Sequence, residues 1–143
     1  DGRDRNVTIK YPAEKAVSLA SSVSEVICAL NASDVLYAVD QGSTFPPYLK
    51  DKVNVGSGAT PSLELIVAQN PDVVFAWPYC TIIDQIEAQG IPVYVLEYPQ
   101  TVSDAIKMIK TVGLIVGKED EAEKISNFIT EYVDMVKDRI EGL

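Results

Sequence analysis

Residues 16–30 read AVSLASSVSEVICAL, residues 35–47 read VLYAVDQGSTFPP, and residues 52–76 read KVNVGSGATPSLELIVAQNPDVVFA. Each stretch is an apolar run, a break of small or polar residues, and usually a helix start. The runs are short, β-branched and bounded by Gly, Pro or Asn, which favours strand over helix. Strands are therefore expected at Ala16 to Ala20, Val35 to Val39 and Val53 to Gly56, and further along at Val73 to Trp77 and Pro92 to Leu96. Helix signals lie between them. Ser22 stands three residues before Glu25, the spacing of a capping box, for a helix to about Leu30 that stops at Asn31. Thr60-Pro61 reads as N-cap and first helical residue, with Leu63, Ile66 and Val67 on one side. Ile82 to Ala88 is a helix closed by Gly90, and Ser103 caps another through Val116, closed by Gly117. Short strands alternating with helices predict an α/β fold: a three-layer α/β/α lobe around a mostly parallel, roughly five-stranded sheet with right-handed crossovers.

Working outward, Val7, Thr8 and Ile9 alternate weakly ahead of Pro12 and suggest a short edge strand or hairpin arm. From about Glu119 to Ile140 runs a long final helix. Its apolar stripe is Ala122, Ile125, Ile129, Tyr132, Val133, Val136 and Ile140, spanning roughly 33 Å. The expected division is a lobe over 1–118 and the long helix over 119–143.

The 143 residues suit one domain, and 47% hydrophobic residues mark a globular chain. Twelve basic against 21 acidic residues give a formal charge of −9, a field that repels phosphate backbones, so no nucleic-acid partner is expected. The chain has no histidine. Ser-His-Asp and Cys-His catalysis are thereby excluded, and the commonest transition-metal ligand is missing. Cys28, among Val26, Ile27, Ala29 and Leu30, reads as a small core residue; Cys80 falls in a loop, and spacing alone does not pair them. No apolar run approaches the ~20 residues of a membrane span, and no signal-peptide pattern opens the chain. Asp1-Gly2-Arg3 is expected to begin a trimmed or mature protein.

Parallel strands send the loops at their C-terminal ends to one edge, where α/β folds bind ligands. Here those loops are Ser21-Ser22, Asp40-Gln41-Gly42, Gly56 to Thr60, Pro78-Tyr79 and Glu97-Tyr98. Hydroxyls, an amide, backbone N–H groups and aromatic faces suit a sizeable, partly apolar ligand. The expected ligand-binding set is Ser21, Ser22, Gln41, Gly58, Ala59, Trp77 and Tyr79. Each has a plainer alternative. Ser22 either caps its helix or touches ligand, and Gly56-Ser57-Gly58 either turns the chain or lets backbone approach ligand; it is neither a dinucleotide nor a P-loop signature. Trp77 is either core or platform, while Tyr79, beyond Pro78, either lines the cleft or is simply exposed. Glu64 complements its helix dipole by ~0.5 kcal/mol. Asp40, Asp72 and Asp84 have no paired-carboxylate spacing, the acidic run Glu119 to Glu123 reads as a solvated helix start, and no metal-ligand cluster is visible.

The order and spacing of several blocks resemble one family, the substrate-binding proteins of ABC importers for cobalamin, siderophores and haem, whose members bind solute between two helix-linked lobes. The blocks are Val7-Thr-Ile with Pro12-Ala-Glu-Lys-Ala-Val-Ser-Leu19, then Ser22-Val-Ser-Glu25, then Phe45-Pro46-Pro47. Val55-Gly56 with Pro61-Ser-Leu-Glu64 and Asn70-Pro71-Asp72-Val73-Val74 is the most specific, and Gly90-Ile-Pro-Val93 and Gly113 with Gly117-Lys-Glu continue the pattern. The resemblance implies a non-enzymatic, extracytoplasmic solute-binding protein, periplasmic or at the cell surface, joined to the membrane only through an anchor or the permease. It implies no cofactor, though the ligand itself can be a chelated metal complex. The chain is expected to be the N-terminal lobe with the connecting helix, the second lobe absent. Glu64 matches the family's permease-docking glutamate, so the ABC permease is the implied partner and a siderophore, corrinoid or haem-like molecule the implied ligand.

There are departures. Vitamin B12 binders of this type carry aromatics where this chain has Gln41-Gly42 and Gly58, and many members have proline at the position of Ser21. Histidine-dependent Mn or Zn binding does not fit this chain. A sensing or interaction domain of the same fold, and a small nucleotide- or flavin-using α/β enzyme, are the competing readings.

Overall fold

Apolar runs become strands where both faces are covered. The computed structural model describes residues 1–142 and has strands β1 (Ala16–Ser18), β2 (Leu36–Val39), β3 (Val53–Asn54), β4 (Val73–Ala76) and β5 (Val93–Val95). All pair in parallel, in the order β3-β2-β1-β4-β5. The helices are α1 (Ser21–Ala29), α2 (Leu63–Ala68), α3 (Ile83–Ala88), α4 (Val102–Ile115) and α5 (Glu119–Glu141). Leu143, included in the expected long helix, lies outside the described residues.

Side chains alternate across the sheet. On β4, Val73 and Phe75 pack with Ile27 and Leu30 of the α1 segment and Val112 of α4. Val74 and Ala76 join Ile66, Ile83 and Ile86 of α2 and α3 on the other side. All four β4 residues are buried, which is why the strand reads as an unbroken apolar run. Fully buried Phe75 and Ile86 each contribute roughly 1.5–3 kcal/mol.

Helix starts differ from the sequence expectation by a residue or two, each for a local reason. On α1, Ala20 is the N-cap without any side-chain cap, and Ser22 lies inside the first turn. The Ser24 amide already donates to the Ala20 carbonyl at 3.0 Å, so the helix begins where β1 ends. On α2, Ser62 and not Thr60 is the cap; its hydroxyl accepts from the Leu65 amide at 3.2 Å. The Ser62 amide is itself committed to the Val55 carbonyl at 2.8 Å, which keeps Pro61-Ser62 outside the helix. On α4, Thr101 displaces Ser103, because Asp104 three residues after Thr101 closes a reciprocal capping box, whereas Ser103 has Ile106 there.

Val7–Ile9 adds no strand among the described residues. The residues before it take the outer edge of β5 instead. The Gly2 amide donates to the Val95 carbonyl at 2.6 Å, and the Asp1 carboxylate accepts from the Val95 amide at 3.3 Å. Arg5 reaches the Val93 carbonyl at 3.0 Å and pairs with Glu87 at 2.8 Å. This N-terminal arm is held by side chains more than by a ladder.

The 23-residue α5 packs along α4, where a Cβ on Gly113 would stand 2.6 Å from that of Ala122. Only a glycine allows that crossing. Ile125 and Ile129 reach the core, while Phe128, Tyr132 and Ile140 are exposed further along the helix. Both cysteines are free thiols. Cys80, expected in a loop, is buried there; Cys28 packs half-buried against the core.

Candidate functional site

From central β1 the chain moves to β2 on one side and returns to β4 on the other. The crevice outside the C-terminal ends of β1 and β4 is thus the topological switch point, where open α/β sheets take ligands. Five loops meet at this edge, and backbone hydrogen bonds fasten them together. The Leu19 amide donates to the Phe75 carbonyl at 2.9 Å, Gln41 to Gly56 at 2.7 Å, and Leu96 to Ala76 at 2.8 Å. The Ala59 carbonyl accepts from both the amide and the hydroxyl of Thr81, at 2.8 and 3.0 Å.

Beneath this edge lies a buried polar chain that the sequence reading missed. Ser18, Ser24 and Ser43 hydroxyls follow one another at 2.9 and 2.8 Å, and Ser43 donates to an Asp40 carboxylate oxygen at 2.5 Å. The other Asp40 oxygen accepts the Gly42 amide at 3.1 Å. All four side chains are buried, Asp40 at 8% exposure. A connected network of this kind rigidifies its surroundings, because an unpaired member in so dry a place is costly. It fixes the loops leaving β1 and β2. The sequence signal was Asp40-x-x-Ser43, an Asx-type turn.

The expected residues divide by exposure. Ser21, Gln41 and Tyr79 are exposed on the edge, while Ser22, Ala59 and Trp77 are half-buried there. The Ser22 hydroxyl oxygen is buried without a hydrogen-bond partner among the described residues, so it does not cap. Gly58 is buried; a Cβ there would meet the Leu19 carbonyl oxygen at 2.4 Å. Its place is structural, locking the β3 loop across the end of β1. Trp77 stacks on Tyr98 with ring centres 4.7 Å apart and planes within 3°. Tyr98, 54% exposed, stands on the same edge as the expected residues; the sequence pattern singles out only its loop. Burial pushes the Tyr79 phenol above its ordinary pKa, and the nearby Tyr98, Asp40 and Cys80 add to the shift. It is a neutral hydroxyl at ordinary pH.

Glu64 stands exposed in the first turn of α2, on the flank of the same end of the sheet, and takes part in no ion pair among the described residues. One hollow of about 100 Å³ adjoins the edge between the β5 loop and α4, lined by Tyr94, Glu97, Tyr98, Lys107 and Met108. Among the described residues no helix is long and apolar enough to cross a membrane.

The family model described as periplasmic binding protein matches residues 17–143. The chain belongs to the periplasmic binding protein family. An uncharacterized ABC transporter substrate-binding lipoprotein of Bacillus subtilis is 29% identical over 130 residues, covering 87% of this chain and 41% of its own length. A vitamin B12-binding protein of Vibrio campbellii is 35% identical over 86 residues, 58% of this chain and 31% of that protein. Among solved structures, a periplasmic heme-binding protein from Pseudomonas aeruginosa superposes with a TM-score of 0.83 at 24% identity, covering 91% of this chain and 48% of that one. At that identity the likeness is one of fold. The chain spans less than half the length of each of these proteins.

Proposed function

We propose that this chain is the N-terminal lobe of the solute-binding component of an ABC importer, working outside the cytoplasmic membrane without catalysing a reaction. Its solute is a siderophore, corrinoid or haem-like molecule. The observation that carries the reading is the Trp77–Tyr98 stack beside exposed Tyr79 at the switch point of a periplasmic-binding-protein sheet. Aromatic faces supply area for a flat or bulky ligand. Ser21 and Gln41 orient it by hydrogen bonds, Ser22 joins them only by turning its buried hydroxyl outward, and the Ala59 backbone borders it, with Gly58 holding that loop from below. The vitamin B12-binding relative points the same way.

In this reading residues 1–118 form the lobe, and α5 (Glu119–Glu141) spans toward a second lobe that completes the cleft. Glu64, exposed and unpaired among the described residues, docks on a basic residue of the permease. One exposed ion pair adds little affinity; its use is orientation and partner choice.

Two measurements test this. Mass spectrometry of the small molecule copurifying with the complete two-lobe protein should find a chelate or macrocycle of this class. Glu64→Arg in that protein should slow transport through its own permease at least about tenfold while leaving solute affinity intact. Undiminished transport would remove Glu64 from the docking surface.

A further inference from the structure

The five segments of the binding edge are Leu19 to Ser22, Asp40 to Pro46, Val55 to Ser62, Trp77 to Ile82, and Leu96 to Thr101. They contain no lysine, arginine or histidine, but two carboxylates, Asp40 and Glu97, and four aromatic residues, Phe45, Trp77, Tyr79 and Tyr98. The Asp40 charge meets only the Gly42 amide and the Ser43 hydroxyl, and takes part in no ion pair among the described residues.

The nearby cations are already balanced. Arg3, whose charge reaches Cys80, is paired with Asp84 at 3.0 Å. Lys107 lines the adjoining hollow together with two acids, Glu97 and Asp104. The remaining positive feature is the first turn of α1, which no side chain caps. It carries about half a unit charge and its N–H groups suit an oxygen acceptor. Against two full carboxylates in a chain of net charge −9, that half charge does not make the edge attractive to an anion.

Resting on the ligand-site reading above, we infer that this lobe selects a neutral or cationic solute whose amide or hydroxamate groups face it, and discriminates against anionic chelates. Carbonyl oxygens of such groups meet the α1 first turn, and N–H or O–H groups meet Asp40 and Gln41. The aromatic faces of Trp77, Tyr79 and Tyr98 add attraction for a cation. An anionic catecholate or carboxylate group brought to this edge finds no basic side chain in its loops.

The test titrates the 143-residue chain with ferric chelates of similar size, followed through the emission of Trp77, its single tryptophan. The probes are a neutral ferric tris-hydroxamate, a cationic tris-hydroxamate bearing one ammonium, and a trianionic ferric tris-catecholate. At low salt the first two should bind at least about tenfold more tightly than the third, and added salt should narrow the gap. Glu97→Gln, at an exposed position, should narrow it too, and Asp40→Asn more so if the variant folds. Equal or tighter binding of the trianion overturns the charge inference alone. If no probe changes the emission of Trp77, the same titration of the complete two-lobe protein decides: silence there as well removes the ligand-site reading, and this inference with it.

Discussion

Gly58 closes the site from below. With the Leu19 carbonyl oxygen 2.4 Å from where its Cβ would stand, Gly58→Ala must displace either the β3 loop or the end of β1. The expected cost is about 1–3 kcal/mol, read as a lower thermal midpoint; an unchanged midpoint would mean that the loop yields freely. The glycine was visible in the sequence, but its job was not, since the obstructing atom belongs to a residue 39 positions earlier. The same distinction runs through the other residues of the edge. Trp77 and Tyr79 could be placed because they directly follow an apolar strand. The hydroxyl chain could not, because Ser18, Ser24 and Ser43 come from β1, α1 and the β2 loop, and only Asp40 and Ser43 are local to each other. Asp40 looked unremarkable as a lone acid and gains its meaning from burial.

Helix α4 shows how an element's start is decided. Thr101 and Asp104 cap each other: the Asp104 amide donates to the Thr101 hydroxyl at 3.0 Å, while the Asp104 carboxylate accepts from the Gln100 and Thr101 amides at 3.0 and 3.2 Å. Those bonds, that from Gln100 foremost, hold the Asp104 carboxyl below its ordinary pKa of 3.8. A depressed carboxyl pKa stabilises the fold above the ordinary value, and that contribution disappears as pH falls through the folded-state value. Carboxyl-carbon NMR should therefore find Asp104 titrating below 3.8, with the first-turn amides of α4 losing protection over the same range. A midpoint at or above 3.8 would contradict the cap. Strand interiors were legible because two-sided burial writes itself as a continuous apolar run. Caps were less so, because Ser22, Thr60 and Ser103 each had a competitor nearby, and tertiary hydrogen bonds such as that from Ser62 to Val55 chose among them.

For the molecule as a whole, alternating strands and helices announced a parallel sheet, yet nothing in the runs says which neighbours which. The order β3-β2-β1-β4-β5 follows from crossovers that place α1 and α4 on one face and α2 and α3 on the other. The order leaves β3 and β5 at the margins. β3 is two residues long. The outer side of β5 is occupied by Gly2, Asp1 and Arg5, with Arg5 anchored on Glu87. An unguarded strand margin is a template on which further chains polymerise, and this protein offers almost none. Its colloidal behaviour thus hangs on a segment that contributes little to the core. Arg5→Ala should leave the melting temperature within a few degrees but hasten the growth of light scattering and thioflavin-positive material in concentrated, gently warmed samples. If such samples stay clear, the tether is dispensable, and repulsion among so many like charges is enough to keep molecules apart.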